Sequence, residues 1–229
     1  MNRRSRIVRT ALLGLGVVLT ATGGAGAMPI PNYTNLLQAP VKSYVELRFK
    51  NVIRQTRDVS CGAAALATLL HYYYGDQAVG ENAIIEAAFE IGDEAKIRQD
   101  GFSMLELKRV GQQHGYVAQG FKIADVEDLR QLRVPVLTLV NTRGYEHFVV
   151  LKGIEGDQVF IADPAFGNRA RPIEVFAEEW RNVILVLLSP DRPGQDAFAY
   201  DHGPRGRMSD LIPLLDRTLV TIRRSGGEF

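Results

Sequence analysis

The chain has 229 residues, of which 46% are hydrophobic and 23% are charged, with 27 basic against 26 acidic side chains. This length and apolar content suit one domain with a substantial core. The near-zero net charge excludes the strongly basic balance typical of nucleic-acid-binding proteins.

The first 27 residues predict a secretory signal peptide. Four arginines and no acidic residue open the chain, and residues 11–22 form an apolar stretch. Ala25-Gly26-Ala27 supplies the small side chains that a signal peptidase reads, so we expect cleavage after Ala27. The alternative is a membrane anchor, but the stretch is shorter than the ~20 apolar residues of a span. Cleavage would leave 23 basic and 26 acidic residues, a net charge of −3, in a periplasmic or secreted protein.

The rest of the chain reads as a helical half followed by a strand half. Residues 28–50 are expected to be extended. Helices are predicted over residues 61–74, 81–89, 103–115 and 125–132, from apolar spacing and from caps such as the Ser103–Glu106 capping box. Strands are predicted over residues 134–140, 147–154, 158–163 and 182–188. Helices followed by an antiparallel meander indicate an α+β fold with helices packed on one sheet, spanning residues 51–188.

The composition changes after the last predicted strand. Residues 189–207 are rich in Pro, Gly, Asp and Arg and are interpreted as a linker. Residues 208–229 are predicted to form a helical tail, which we expect to dock to a partner such as a secretion component rather than to take part in chemistry.

Cys61 is the only cysteine and stands where a helix is predicted to begin. Backbone N–H groups and the positive end of the helix dipole stabilise a thiolate at such a position. No intrachain disulfide can form, and oxidising compartments usually pair or eliminate thiols. The sequence therefore favours a working thiol, although a small buried apolar residue is the alternative.

Three further residues complete a constellation suited to thiol chemistry. A thiolate nucleophile needs a base, and that base needs an orienting group. His147 begins one predicted strand and Asp163 ends the next, so a hairpin would make their side chains neighbours across the ladder. The amide of Gln55, six residues before Cys61, is a candidate to form an oxyanion hole with the Cys61 N–H.

Other kinds of site have little support in the sequence. No pair of histidines has the spacing of metal ligands, so we predict no metal and no cofactor. The glycine-rich pieces lack the Lys-Ser/Thr of a phosphate-binding loop.

Three segments carry a resemblance to a known family: Gln55 with residues 58–66, residues 147–151, and Asp163-Pro164. They resemble the bacteriocin-processing cysteine peptidases, which are papain-like and cleave leader peptides after a double glycine. The likeness covers roughly residues 52–188. It implies that Cys61 is the nucleophile, His147 the general base and acid, Asp163 the orienting group and Gln55 the oxyanion donor.

Two departures from the family pattern bear on the substrate. Ser60 stands where many members have Asp before the nucleophile, and we expect a signal peptide and no transporter domain in this chain. It is therefore similar to the stand-alone exported branch, which includes the protease-like component of functional-amyloid secretion operons. The resemblance implies an exported cysteine peptidase that cleaves a secreted peptide or unfolded protein, such as a fibre subunit or leader peptide, next to small residues.

The residues alone leave two alternatives open. One is a thiol acyltransferase or amidase on the same fold, because that chemistry also proceeds through a thioester. The other is an idle peptide-binding module, which would have no need of the four residues.

Overall fold

The computed structural model describes residues 43–195 and residue 198. The expected signal peptide, residues 28–42 of the extended segment and the C-terminal tail lie outside these residues. The helices of the described part are α1 (Tyr44–Arg48), α2 (Cys61–Thr68), α3 (Glu81–Ile91), α4 (Glu94–Asp100), α5 (Met104–Gln113) and α6 (Ile173–Glu179). A π-helical turn (Leu69–Tyr73) continues α2, and a 3₁₀-helix (Val126–Gln131) lies between α5 and α6.

One antiparallel sheet organises the described part of the chain. Its strands are β1 (Val117–Lys122), β2 (Val136–Thr142), β3 (Tyr145–Glu155), β4 (Gln158–Asp163), β5 (Gly167–Pro172) and β6 (Trp180–Leu188). The spatial order is β1-β6-β2-β3-β4-β5, so β2 to β5 form a meander and β6 returns between β1 and β2. The predicted α+β fold, with helices packed on an antiparallel sheet, is confirmed.

The sequence predicted the four central strands but not the two edge strands, β1 and β5. An edge strand has only one partner and need not bury both faces, so its residues lack the β-branched, apolar pattern of a central strand. β5 reads Gly-Asn-Arg-Ala-Arg-Pro and is polar for this reason.

Helix α2 corresponds to the N-terminal half of the helix predicted over residues 61–74. All eight of its residues are buried, and the chain then continues as a π-helical turn to Tyr73. Gly62 permits the close approach of α2 to its neighbours: a Cβ there would lie 3.0 Å from Phe102 Cβ and 3.2 Å from the Phe148 ring. This contact fixes the start of α2 against α5 and the sheet.

Two apolar clusters cover the two faces of the sheet. The larger one joins α2, α3 and α5 to one face, with Leu66, Leu107 and Phe148 among its members. The smaller one covers the other face with α6 and the 3₁₀-helix, through residues such as Phe176 and Leu129.

The ends of the domain differ in detail from the sequence expectation. Residues 44–48, within the segment expected to be extended, form α1, which is capped by a Ser43–Glu46 capping box. The first part of the expected linker lies against the domain: Gln195 N–H donates to the Tyr73 carbonyl at 2.7 Å, and Phe198 is 1% exposed. No helix within residues 43–195 has the length and apolarity needed to cross a membrane.

Candidate active site

Cys61 is the first residue of α2, and 9% of its surface is exposed. Ser60 occupies the N-cap position of α2, but its hydroxyl does not cap the helix. The Ser60 Oγ instead donates to the Arg57 carbonyl at 2.8 Å and accepts from the Arg57 N–H at 3.1 Å. The Ser60 hydroxyl is therefore bonded within the turn 57–60. Helix α2, which begins at Cys61, has no side-chain cap.

His147 and Asp163 meet as the hairpin predicted. His147 Nε2 lies 2.8 Å from Asp163 Oδ1. The ladder between β3 and β4 pairs Val150 with Ala162, so the two residues stand diagonally across the strands, two positions apart. A diagonal of this kind is within reach of long side chains.

The His147 imidazole also contacts Cys61. Burial of the ring disfavours its charged form, but hydrogen bonds to Asp163 and to Cys61 outweigh burial and raise the pKa of His147 to about 9. Because Nε2 is taken by Asp163, Nδ1 is the ring nitrogen left for the thiol. The imidazole thus bridges the sulfur and the carboxylate in its protonated form at neutral pH.

The Asp163 carboxylate is 1% exposed and well provided with donors. Its Oδ1 also accepts from the N–H groups of Ala165 at 2.9 Å and Phe166 at 3.1 Å. Burial alone would raise the pKa of the Asp163 carboxyl, but the bonds from His147 and from these two N–H groups hold it below its ordinary value. Asp163 is therefore ionised at neutral pH, where the His147 imidazole is protonated.

Gln55 lies between the turn that precedes Cys61 and the turn that follows Asp163. Its backbone N–H donates to the Pro164 carbonyl at 3.0 Å, and its amide nitrogen donates to the carbonyls of Arg57 at 3.0 Å and Asp58 at 3.4 Å. Its Oε1 is buried and has no hydrogen-bond partner within the described residues. The oxyanion role of Gln55 stays a prediction, because its amide nitrogen is engaged by these carbonyls.

Several supporting residues were not found by the sequence analysis. Glu81, at the start of α3, accepts from the Thr56 N–H at 2.9 Å and the Thr56 hydroxyl at 2.8 Å. Arg169 Nη1 lies 2.9 Å from Asp163 Oδ2. The feature of the sequence that could have pointed to Arg169 is Gly167. Its φ of +79° suits a turn after Asp163, and such a turn would bring Arg169 back beside β4. Nothing local singles out Glu81, whose partner is 25 residues away.

This arrangement can carry acyl transfer through a thioester. A thiol at a helix start is joined to an imidazolium, and the imidazolium to a buried carboxylate, which is the order of parts that an activated nucleophile requires. Within residues 43–195 and 198, no group of three or more His, Cys, Asp or Glu is placed to hold a metal ion.

Comparison with known proteins agrees with this chemistry. Residues 49–192 match the model of the peptidase C39 family. The chain is 36% identical over 218 residues to the probable functional amyloid protease FapD of Pseudomonas aeruginosa, covering 93% of this chain and 96% of that one. It is 30% identical over 139 residues to the lactococcin-G-processing and transport ATP-binding protein LagD of Lactococcus lactis, covering 59% of this chain and 18% of that protein.

Two solved structures share the fold. One is a double glycine motif protease from an AMS/PCAT transporter in complex with the leader peptide, with a TM-score of 0.51 and 28% identity. The match covers 62% of this chain and 90% of that one. The other is the peptidase domain of Streptococcus ComA, with a TM-score of 0.51 and 19% identity over 60% of this chain and 97% of that one.

Proposed function

The chain belongs to the peptidase C39 family and is a cysteine peptidase, and we propose that it is an exported one that cleaves an extended peptide or unfolded protein next to small residues. Cys61, His147, Asp163 and Gln55 are proposed to carry the reaction. The contact of His147 with both Cys61 and Asp163 is the observation on which this proposal stands.

The proposed reaction begins from the thiolate–imidazolium pair. The Cys61 sulfur attacks the scissile carbonyl carbon, and the oxyanion that forms is held by the Cys61 N–H and by a Gln55 amide hydrogen turned away from its carbonyl partners. The His147 imidazolium then gives its proton to the leaving amine as the C–N bond breaks, which leaves a thioester and a neutral imidazole.

Water completes the cycle. The neutral imidazole removes a proton from water as the water oxygen attacks the thioester, and the C–S bond breaks to restore the thiolate and release the carboxylic acid product, which gives its proton to solvent. Asp163 keeps its charge throughout and fixes the orientation of the ring, since Oδ1 already bonds Nε2 in the resting protein.

Location and substrate follow from two kinds of support. The first 27 residues have the pattern of a cleaved signal peptide, which would place the reaction outside the cytoplasm. The relative FapD is a probable functional amyloid protease, and a related structure is a double glycine motif protease in complex with a leader peptide. An exported, extended chain with Gly or Ala before the cut is the substrate class that fits both.

The test compares exported peptides from two strains. Mass spectrometry of periplasmic and secreted peptides from wild type and a Cys61→Ala strain should reveal N-termini found only in wild type, with Gly or Ala enriched just before the cut. The signal peptide is checked by N-terminal sequencing, which should begin at Met28 in the mature protein.

Other outcomes would replace the proposal. Loss of a crosslinked or amidated product, with no change in cleavage sites, would establish acyl transfer instead. Identical peptide sets, with a peptide co-purifying with both proteins, would show a binding module. An uncleaved N-terminus would contradict export by this route.

A further inference from the structure

Both carboxylate oxygens of Asp163 accept hydrogen bonds, and Oδ2 accepts its bond from Arg169. Three donors, namely His147 Nε2 and the N–H groups of Ala165 and Phe166, converge on Oδ1. Oδ2 accepts from Arg169 Nη1 at 2.9 Å. Because the carboxylate is almost fully buried, an Oδ2 without its partner would carry the desolvation cost of an unmet charged acceptor.

Arg169 is itself held in place. Its guanidinium carbon lies 5.1 Å from the centre of the Phe166 ring, within the range of a cation–π contact. Phe166 also donates its N–H to Asp163 Oδ1, so the same turn anchors both the carboxylate and the arginine. β5 pairs Arg169 with Ile161, two residues before Asp163 on β4, which brings the side chain to the end of the sheet that carries the site.

We propose that Arg169 is a positioning residue of the peptidase reaction, which holds Oδ2 of the buried Asp163 carboxylate and thereby keeps Oδ1 aimed at His147. This inference rests on the proposed role of Asp163 and adds a fifth residue to the site, one that acts through the Asp163 carboxylate. The charged groups around the carboxylate are His147 from β3 and Arg169 from β5. Arg48 of α1 donates to the Phe166 carbonyl at the same turn, and Cys61 contacts the imidazole.

The strand provides a matched control. Arg171 lies two residues further along β5, is as exposed as Arg169 at 21%, and is also ion-paired, but with Glu179. Arg171→Gln therefore removes a comparable arginine and ion pair without touching Asp163.

The experiment uses the rate of alkylation of Cys61 by iodoacetamide in the full-length protein, measured against pH. This rate reports the thiolate–imidazolium pair and needs no knowledge of the substrate. Without Arg169 the buried carboxylate loses its Oδ2 partner and can turn away from His147, so the imidazolium that stabilises the thiolate is less well placed. Arg169→Gln should therefore move the acid limb of the profile to higher pH by about one unit, which is about tenfold in rate on that limb. Arg169→Lys should keep the limb near its wild-type position, and Arg171→Gln should leave it unchanged.

A double-mutant cycle separates positioning from general support of the fold. In an Asp163→Asn background the carboxylate is gone, so adding Arg169→Gln should change the alkylation rate less than about twofold. This comparison remains informative if Arg169→Gln alone does not fold, because the double variant leaves no buried carboxylate unpaired.

The two proposals fail in different ways. If Arg169→Gln matches wild type, or slows alkylation equally with and without Asp163, Arg169 does not act through that carboxylate. If instead Asp163→Asn itself leaves the alkylation profile unchanged, the proposed catalytic role of Asp163 is wrong, and the role of Arg169 is lost with it.

Discussion

At the scale of single residues, the charge on His147 decides how the site works. A buried imidazole would ordinarily lose its proton more readily, because burial disfavours charge. Here the contacts with Asp163 and Cys61 reverse that tendency and raise the pKa of His147 to about 9. The imidazolium is therefore present below about pH 9 and is lost above it, so an acid for the leaving amine is available at neutral pH.

Alkylation of Cys61 should depend on that imidazolium. With iodoacetamide, we expect wild type to react rapidly well below pH 8, because the imidazolium that stabilises the thiolate stays charged up to about pH 9. His147→Gln keeps a polar side chain but no charge, and should slow the reaction at pH 6–7 by about tenfold or more. The rate is followed by mass spectrometry of the intact protein. Equal pH profiles for the two proteins would contradict the thiolate–imidazolium pair.

At the scale of elements, the segment 53–56 is fastened to three separate parts of the fold. The Ile53 N–H donates to the Thr68 hydroxyl of α2 at 2.9 Å. The Gln55 N–H donates to the Pro164 carbonyl after β4, and Thr56 bonds Glu81 of α3 twice. Because each of these hydrogen bonds comes from a different element, the position of Gln55 depends on how α2, α3 and β4 pack against one another.

Removing the Glu81 carboxylate should loosen this segment. Glu81→Ala leaves the Thr56 N–H without its acceptor, so the free energy of unfolding should fall by about 1–3 kcal/mol. The displaced Gln55 should also lower peptidase turnover. Urea denaturation gives the first quantity, and Glu86→Ala on the exposed side of α3 is the control, expected to stay within about 0.5 kcal/mol of wild type. A Glu81→Ala protein as stable as that control would show that the two bonds add nothing.

At the scale of the whole molecule, the segment after β6 completes the helical face. The Phe198 ring packs 6.2 Å from the centre of the Tyr73 ring, and the Lys152 amine lies 4.7 Å from the Phe198 ring centre. Arg192, which lies between β6 and Phe198, donates hydrogen bonds to Asp76 and Tyr116. The composition of residues 189–207 suggested a linker, but its described residues, 189–195 and 198, belong to the packing of the domain.

Phe198→Ala should therefore behave as a core substitution. Truncating a fully buried phenylalanine costs about 3–5 kcal/mol, and thermal unfolding should show a marked drop in Tm. Leu105→Ala, at a side chain that is 47% exposed, is the comparison and should change Tm little. Deletion from residue 207 onward is expected to leave Tm near wild type, as the composition predicts. A Phe198→Ala protein with the wild-type Tm would mean that the segment is not part of the core.

The sequence by itself determined the parts of this protein whose physics is local. Apolar spacing and a capping box located α2, α3 and α5, and runs of β-branched residues located the four central strands, because each of these patterns reflects burial along one element. The short hairpin between His147 and Asp163 was enough to predict that these two side chains meet, and the family resemblance added Cys61 as their partner. The residues and the family resemblance together predicted a thiol peptidase, and the family comparison confirms that activity.

Only the tertiary structure decided what surrounds these residues. Edge strands β1 and β5 each have a single partner and lack the apolar pattern of a central strand, so pairing with β6 and β4 fixes their positions. Arg169 reaches Asp163, Glu81 reaches Thr56 and Phe198 reaches Tyr73 across 6, 25 and 125 positions of the chain, respectively. Such contacts leave no periodic trace in the sequence, because a charged or aromatic side chain acquires its partner only when the sheet and its helices bring two distant backbones together.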